Sequence, residues 1–272
     1  MNDGGIDMKE MRLLGKVMIR GRIKALSGLH IGAGSNALDI GGIDNPVIKD
    51  SAGRPYIPGS SLKGKMRCLL ERYEGYPEDT FETNGKKELV VKKEHLNEYD
   101  EKTGINLTGP VAKIFGIGAS SDSDMGPTRF YCRDAYLSEE TLKEMNEKSG
   151  EFEELEMDYT ESKWENTIHR LTSKASNPRI MERVPAGAEF DAEFVYNIYI
   201  KQDLDDFAHI LRGIKLLEDD FIGGSGTRGS GNIAFTGLSV EIKTRDFYES
   251  DSTHGEMVEW SPALDLGEFF KS

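Results

Sequence analysis

The sequence predicts an α+β protein built on a ferredoxin-like sheet, with helices on one face and long insertions between the elements. Three observations carry that expectation: two stretches of apolar alternation, two amphipathic stretches at helical spacing, and the order strand, helix, strands, helix, strand. In the first strand Val17, Ile19, Gly21, Ile23 and Ala25 share one face, and Arg20, Arg22 and Lys24 the other. A helix is expected over 60–73, where Leu62, Met66, Leu69, Leu70 and Tyr73 recur at helical spacing and Ser60 or Ser61 offers an N-cap after Pro58-Gly59. Residues 128–137 (TRFYCRDAYL) read as a single strand. The segment 188–200 alternates at Ala188, Phe190, Ala192, Phe194, Tyr196, Ile198 and Ile200. Leu204, Phe207, Ile210, Leu211, Ile214 and Leu217 then form a second amphipathic helix, followed by GGSGTRGSG and a last strand over 232–242.

A chain of 272 residues with 37% hydrophobic content buries a core as one large domain carrying insertions, and no internal repeat is visible. No run approaches 18 apolar residues, and the first sixteen carry Asp3, Asp7 and Glu10 where a leader would have a basic end and an apolar stretch. A protein without membrane attachment is expected. Cys68 and Cys132 are the two cysteines and no CxxC is present, which excludes a disulfide framework and a thiolate zinc site. The expected compartment is a reducing cytoplasm.

A formal net charge of −14 and a pI near 4.9 argue, as averages, against nucleic acid. The charge is segregated, however. Residues 49–72 hold six basic side chains against two acids, whereas residues 138–161 hold two lysines against ten acids. A second acidic surplus lies past Arg245, and both acidic runs are expected to be solvated faces or tails.

The densest chemistry lies between Gly28 and Arg67, where GLHIGAGSN, IGGIDNPVIKD and YIPGSSLKGKMR follow one another. Glycine-rich backbone, one loop aspartate and a helix opening with Ser-Ser-Leu-Lys-Gly-Lys suit a phosphate chain. The N–H groups of a first helical turn favour an anion by about 0.3–1 kcal/mol, to which Lys63, Lys65 and Arg67 would add charge-assisted contacts. The segment is not a Walker loop, because its lysine follows the serines of the helix start. In 223–231 five glycines and Arg228 could wrap a backbone. GxGxxG matches at Gly224, Gly226 and Gly229, but between a helix and a strand, the reverse of the dinucleotide arrangement. Residues 163–183 (KWENTIHRLTSKASNPRIMER) carry five Lys or Arg against two Glu and read as an exposed hairpin or irregular arm. Taken singly, these segments also fit a capped helix with a solvated basic face, a flexible turn and a packed histidine.

Together the segments SGLHIGAG, IGGIDNPVIKD, YIPGSSLKGKMR, ENTIHRLTSKASNPRIMERV and LLEDDFIGGSGTRGSGNIAF, in this order along nearly the whole chain, resemble the backbone subunit of the type III-A (Csm) CRISPR effector complex. That family is part of the RAMP superfamily of RNA-binding proteins. The resemblance implies a single RAMP-type domain over 1–272 with a modified RRM-like, ferredoxin-like core and a thumb hairpin. Insertions would fall near 74–125 and 138–187, and an acidic tail near 246–272. It implies partners as well: guide crRNA, single-stranded target RNA, further copies of the chain stacked head to tail, and other subunits of the Csm complex, with no membrane.

On the resemblance, Lys63, Lys65 and Arg67 fall where the family holds guide phosphates, and His30 at its RNA-contacting histidine. Ser60, Ser61, Gly224, Gly226 and Arg228 are further candidates, as are Arg170, Asn177 and Arg179 in the thumb, which in the family inserts between guide and target and flips out nucleotides. Asp44 matches the aspartate on which target cleavage depends. The implied reaction is endonucleolysis supported by Mg²⁺ or another divalent cation, in which a ribose 2′-hydroxyl attacks the adjacent phosphate. An aspartate with a pKa near 4 is ionised at pH 7 but a weak base, so positioning, proton acceptance and metal ligation all remain open for Asp44. No preformed metal site is expected, since Asp39 and Asp50 fit turn chemistry. Two further readings stand beside this one: a non-catalytic RNA-binding scaffold, and a stand-alone guide-processing nuclease using a histidine base.

Overall fold

The computed structural model describes residues 11–33, 45–75, 80–83, 86–89, 109–116 and 126–270. In chain order these form β1 (Gly15–Ala25), β2 (Tyr56–Ile57), α1 (Gly59–Glu74), β3 (Thr80–Thr83), β4 (Lys86–Leu89), α2 (Gly109–Phe115), β5 (Phe130–Cys132), β6 (Ala135–Leu137) and α3 (Glu139–Glu147). There follow β7 (Glu161–Ile168), β8 (Ala175–Arg183), β9 (Glu189–Ile198), α4 (Gln202–Glu218), β10 (Ile233–Thr244), α5 (Arg245–Glu249) and β11 (Glu256–Glu259).

The main sheet is antiparallel, ordered β11-β10-β1-β9-β6-β2, with β5 also on β9; β3–β4 and β7–β8 are separate hairpins. Through β1, α1, β5 with β6, β9, α4 and β10 the chain runs strand, helix, strand, strand, helix, strand. Those four strand positions lie in the spatial order fourth, first, third, second. The alternation expected in β1 and β9 is the one observed. Val17, Ile19, Ile23, Phe190, Phe194, Tyr196 and Ile198 are buried under Leu62, Met66 and Leu70 of α1 and Phe207, Ile210 and Leu217 of α4. Phe194 stacks on Phe130 at 5.7 Å between centroids, and Tyr196, 5.3 Å from Phe207, donates its hydroxyl to the Asp203 carbonyl at 2.7 Å.

Several expectations need correction. Neither Ser60 nor Ser61 caps α1: Pro58 holds the N-cap position without a side-chain bond, and the Gly59 N–H donates to Asp134 Oδ1 at 2.8 Å. Gly59 approaches the Cys132 carbonyl so closely that a Cβ would lie 2.3 Å from it, which packs the start of α1 directly against β5. The same Asp134 divides the expected strand over 128–137 into β5 and β6, because it turns out of the ladder to reach α1. The acids of the C-terminal segment are exposed, as expected, but the segment is docked on the fold and is not a free tail. Its β11 extends the sheet beyond β10, and Leu266 is fully buried. The acidic insertion is solvated only outwardly: Met145, Phe152 and Leu155 join the core, while Glu140 and Glu151 pair with Arg22 and Lys24 on the polar face of β1.

That polar face is a lattice of ion pairs. Arg20 joins Glu193 and Glu241, each at 2.7 Å, and Glu241 also accepts the Gly255 N–H at 2.8 Å. Burial works against ionisation of Glu241, but the bonds from Arg20, Gly255 and Lys243 outweigh it and push its pKa down to about 2. Glu193 and Glu182 are lowered in the same way. Depressed folded-state values mean that the stabilisation is present above the unfolded glutamate pKa of about 4.3 and is lost as pH falls through the folded values. The melting temperature is therefore expected to fall progressively from about pH 5 towards pH 2. Glu241→Gln should flatten that slope in thermal melts recorded across the range.

Candidate nucleic-acid interface

Two segments of the glycine-rich run between Gly28 and Arg67, 28–33 and 45–50, converge on the end of β8. Leu29 and Val184 exchange backbone hydrogen bonds at 2.8 Å, Gly32 bridges to Val47, and the Asn45 carbonyl accepts the Glu182 N–H at 3.1 Å. The glycine loop 223–231 closes over the same place. Gly224 N–H donates to the His30 carbonyl at 2.8 Å and Gly231 N–H to the Gly28 carbonyl at 3.0 Å. Gly223 has φ +81° and a Cβ there would lie 2.2 Å from the His30 carbonyl oxygen, which is why this loop needs glycine.

His30 is oriented by this packing. Its Nδ1 lies 2.7 Å from the Glu182 carbonyl, which can only accept, so Nδ1 carries the proton and Nε2 is the ring nitrogen left for another partner. The residue that organises the junction is Glu182, whose side chain is 1% exposed. It accepts the Val47 N–H at 2.9 Å, Lys49 Nζ at 2.6 Å and Thr160 Oγ1 at 2.7 Å. Burial pulls its pKa up, but these three donors together hold it below the ordinary carboxylate range, so it stays ionised.

The basic residues of α1 do not act as one track. Lys65 donates to Asp220 Oδ1 at 3.0 Å and lies 3.8 Å above the Phe221 ring, which fastens the helix to the stem of the glycine loop. Arg67 bonds Glu71 at 2.8 Å and the Gly116 carbonyl at 2.6 Å. Lys63 has no hydrogen bond or ion pair with another described residue, and burial pushes its ammonium below the ordinary lysine range, with nearby Cys132 opposing the shift and the Arg67 charge adding to it. The helical period separates Lys65 from the face shared by Lys63 and Arg67. A desolvated cation without a counter-ion favours an anion, so Lys63 is the one member of the trio whose setting suits a phosphate. Ser60 is exposed at the start of the same helix and Ser61 is partly so.

The exposed arm expected over 163–183 is the β7–β8 hairpin. Arg170, Asn177 and Arg179 are all exposed on it, Asn177 with φ 51°, and Trp164, Ile168 and Leu171 stand out at 64%, 63% and 92% exposure. Apolar side chains this exposed are at home against base faces or another protein. A groove of about 530 Å³ lies along the hairpin, lined by Lys163, Thr167, Arg170, Arg179 and Arg228 among others. At its inner end Glu165 joins Arg179 at 2.8 Å to Arg228 at 3.2 Å, tying hairpin to glycine loop. Gly226, two residues before Arg228, packs flat on Phe221, where a Cβ would overlap the ring at 2.0 Å.

Asp44 and Asp39 lie outside the described residues. Asp50 is committed to its turn, accepting the Arg54 and Ala52 N–H groups at 2.9 and 2.8 Å and pairing with the Arg54 guanidinium. Among the described residues no group of three His, Cys, Asp or Glu is placed to hold a metal ion, and Glu182 already accepts three hydrogen bonds, so the described residues alone supply no cation site. Sequence reasoning missed Glu182, Glu165, Asp134 and Asp220. None carried a local signal: Glu182, for instance, stands between Met181 and Arg183 in an otherwise basic segment.

A sheet backed by helices, with a cationic hairpin and a glycine loop meeting at one end, has known counterparts. Residues 22–234 match the family model of the RAMP superfamily. The chain is 41% identical to the CRISPR system Cms endoribonuclease Csm3 of Methanocaldococcus jannaschii, over 90% of this chain and 88% of the relative. It is 38% identical to the protein of the same name from Enterococcus italicus, over 87% and 97%. A crystal structure of the Csm3–Csm4 subcomplex of the type III-A CRISPR-Cas interference complex aligns with a TM-score of 0.53 at 30% identity, covering 96% of this chain and 95% of that one. The Methanopyrus kandleri Csm3 crystal structure, at 22% identity and a TM-score of 0.51, shares the fold. The chain belongs to the Csm3 family of the RAMP superfamily, a membership that implies a ferredoxin-like core. Among the described residues no helix is long and apolar enough to cross a membrane.

Proposed function

We propose that this chain is a repeating backbone subunit of a type III-A CRISPR interference complex that binds guide RNA and cleaves complementary single-stranded target RNA at regular intervals. The observation that carries the reading is the convergence, at one end of the sheet, of His30, the glycine loop, the base of the hairpin and Asn45, the residue directly after Asp44. Guide phosphates would meet Lys63, the first turn of α1 and Arg228, with His30 Nε2 as a further polar contact. The β7–β8 hairpin takes the part of the RAMP thumb, its exposed Ile168 and Leu171 standing between bases. The palm takes the RRM-like part, and the regions 74–125 and 138–187 are the insertions.

Asp44 is the proposed catalytic residue, set at the neighbour of the anchored Asn45. A flipped target nucleotide brings its 2′-hydroxyl in line with the adjacent phosphorus, and the hydroxyl attacks as the bond to the next 5′-oxygen breaks. Partners on this reading are guide crRNA, target RNA, further copies of the chain in a head-to-tail filament and other Csm subunits, in the cytoplasm.

The test is incubation of the reconstituted complex with a guide-complementary RNA. Cuts at a constant interval are expected with Mg²⁺ and none in EDTA; an uncut target in a fully assembled complex would leave the chain as an RNA-binding scaffold. Binding of guide RNA should weaken steeply with salt despite the net charge of −14. Lys63→Ala is expected to lower the slope of log K against log salt by roughly 0.7, the value of one single-strand phosphate contact.

A further inference from the structure

We infer that Glu165 is a positioning residue for RNA binding, which holds Arg179 of the hairpin and Arg228 of the glycine loop as one fixed pair facing the groove between them. The inference rests on the RNA-binding reading above and adds a residue to it.

Glu165 receives cations from three segments of the surface. Arg179 Nη2 donates to Oε2 at 2.8 Å, Arg228 Nη2 lies 3.2 Å from the same oxygen, Arg228 Nε donates to Oε1 at 3.4 Å, and Lys163 Nζ stands 4.0 Å from Oε1. Arg228 is braced further by its bond to Ser225 Oγ at 2.7 Å. The bond to Arg179, followed by the charge and bond of Arg228, keeps the Glu165 carboxyl below its ordinary range against some loss of solvation, so it is an anion at neutral pH.

A carboxylate between two arginines at an RNA surface has two contrary meanings. It either competes with phosphate for them or sets them in place. Exposure decides between these. The Glu165 side chain is 9% exposed, whereas those of Arg179 and Arg228 are 45% and 53% exposed. An incoming phosphate therefore meets the outer edges of both guanidiniums before it can reach the carboxylate beneath. Each guanidinium has five N–H donors in a fixed fork, and Glu165 engages only part of each; among the described residues Nε and Nη1 of Arg179 and Nη1 of Arg228 have no other acceptor and face a ligand. Without the carboxylate, two long side chains on two separate backbone segments would regain their rotamer freedom and repel one another. Neither charge comes from the rigid sheet: one stands on the exposed β8 arm and the other in a loop with glycines on both sides. The chemistry recognised is a phosphodiester lying between hairpin and glycine loop.

The experiment measures binding of a fluorescent guide-type single-stranded RNA by the full chain over a salt series, for wild type, Glu165→Gln, Arg228→Gln and the double variant. Glu165→Gln is expected to weaken binding about 10-fold and to lower the salt slope by roughly 1.4, two single-strand phosphate contacts. Adding it to Arg228→Gln should lower the slope by only about 0.7 more, the Arg179 contact that remains, so the two effects are less than additive. Glu165→Asp, which keeps the charge, should recover part of the affinity and serves as the second variant where Glu165→Gln folds poorly. Unchanged or tighter binding by Glu165→Gln overturns the inference while leaving the RNA-binding reading intact. Wild type with no salt-dependent binding overturns that reading itself.

Discussion

Glu182→Ala is expected to lower the melting temperature by about 5–15 °C and to release the segment that carries Asn45. The side chain is 1% exposed and is the common acceptor for the Val47 N–H, Thr160 Oγ1 and Lys49 Nζ. Truncation orphans two donors in buried residues, Val47 and Thr160, at about 1–3 kcal/mol each. Lys49, 36% exposed, turns to water and adds little. The sum, about 2–6 kcal/mol, brackets the stated shift for a chain of this length at roughly 2–4 °C per kcal/mol. Glu182→Gln keeps the shape and one acceptor, and its shift should be well under half as large. Calorimetry on both variants checks the ordering, and faster amide exchange at Val47 in Glu182→Ala would locate the effect at this junction.

The fold was legible where one face of an element is apolar and the other polar. The alternation of Val17, Ile19, Ile23 and Ala25, and of Phe190 through Ile198, identified the two central strands, because period two on a half-buried strand has no helical counterpart. The heptad-like spacing of Leu62, Met66, Leu69 and Leu70 did the same for α1. Local pattern failed where a residue's partner is remote in sequence. Ser60 and Ser61 have the chemistry of a cap, but the acceptor used is Asp134, 75 positions away. Lys63, Lys65 and Arg67 look alike in sequence, yet Asp220 and the Gly116 carbonyl occupy two of them, and that follows only from the packing of α1 beside α4 and α2. Glu165 and Glu182 carried no local signature at all: each is one acid in a basic segment, and their weight comes from cations delivered by other strands and loops. The glycine runs were recognisable as close-approach backbone, but that they pack on one another, with His30 between them, depends on the sheet.

The second large effect concerns Asp44. Asp44→Ala removes one carboxylate and leaves the neighbouring anchors, Asn45 to Glu182 and Val47 to the Glu182 carboxylate, in place. Folding, assembly and guide binding are therefore expected to be unchanged, while target cleavage falls by at least about 100-fold, the lower end of what a positioned acid–base group contributes. Lys63→Ala should do the reverse, weakening guide binding and lowering its salt slope while cleavage per bound guide persists.

The most direct test of the account is single-turnover cleavage of a guide-complementary RNA by the reconstituted complex in Mg²⁺, with wild type and Asp44→Ala compared at equal guide occupancy. Evenly spaced cuts in the wild type that vanish in the variant are the predicted result. Equal cutting by both would contradict it and place the chemistry in another subunit, with this chain as the scaffold that holds the guide.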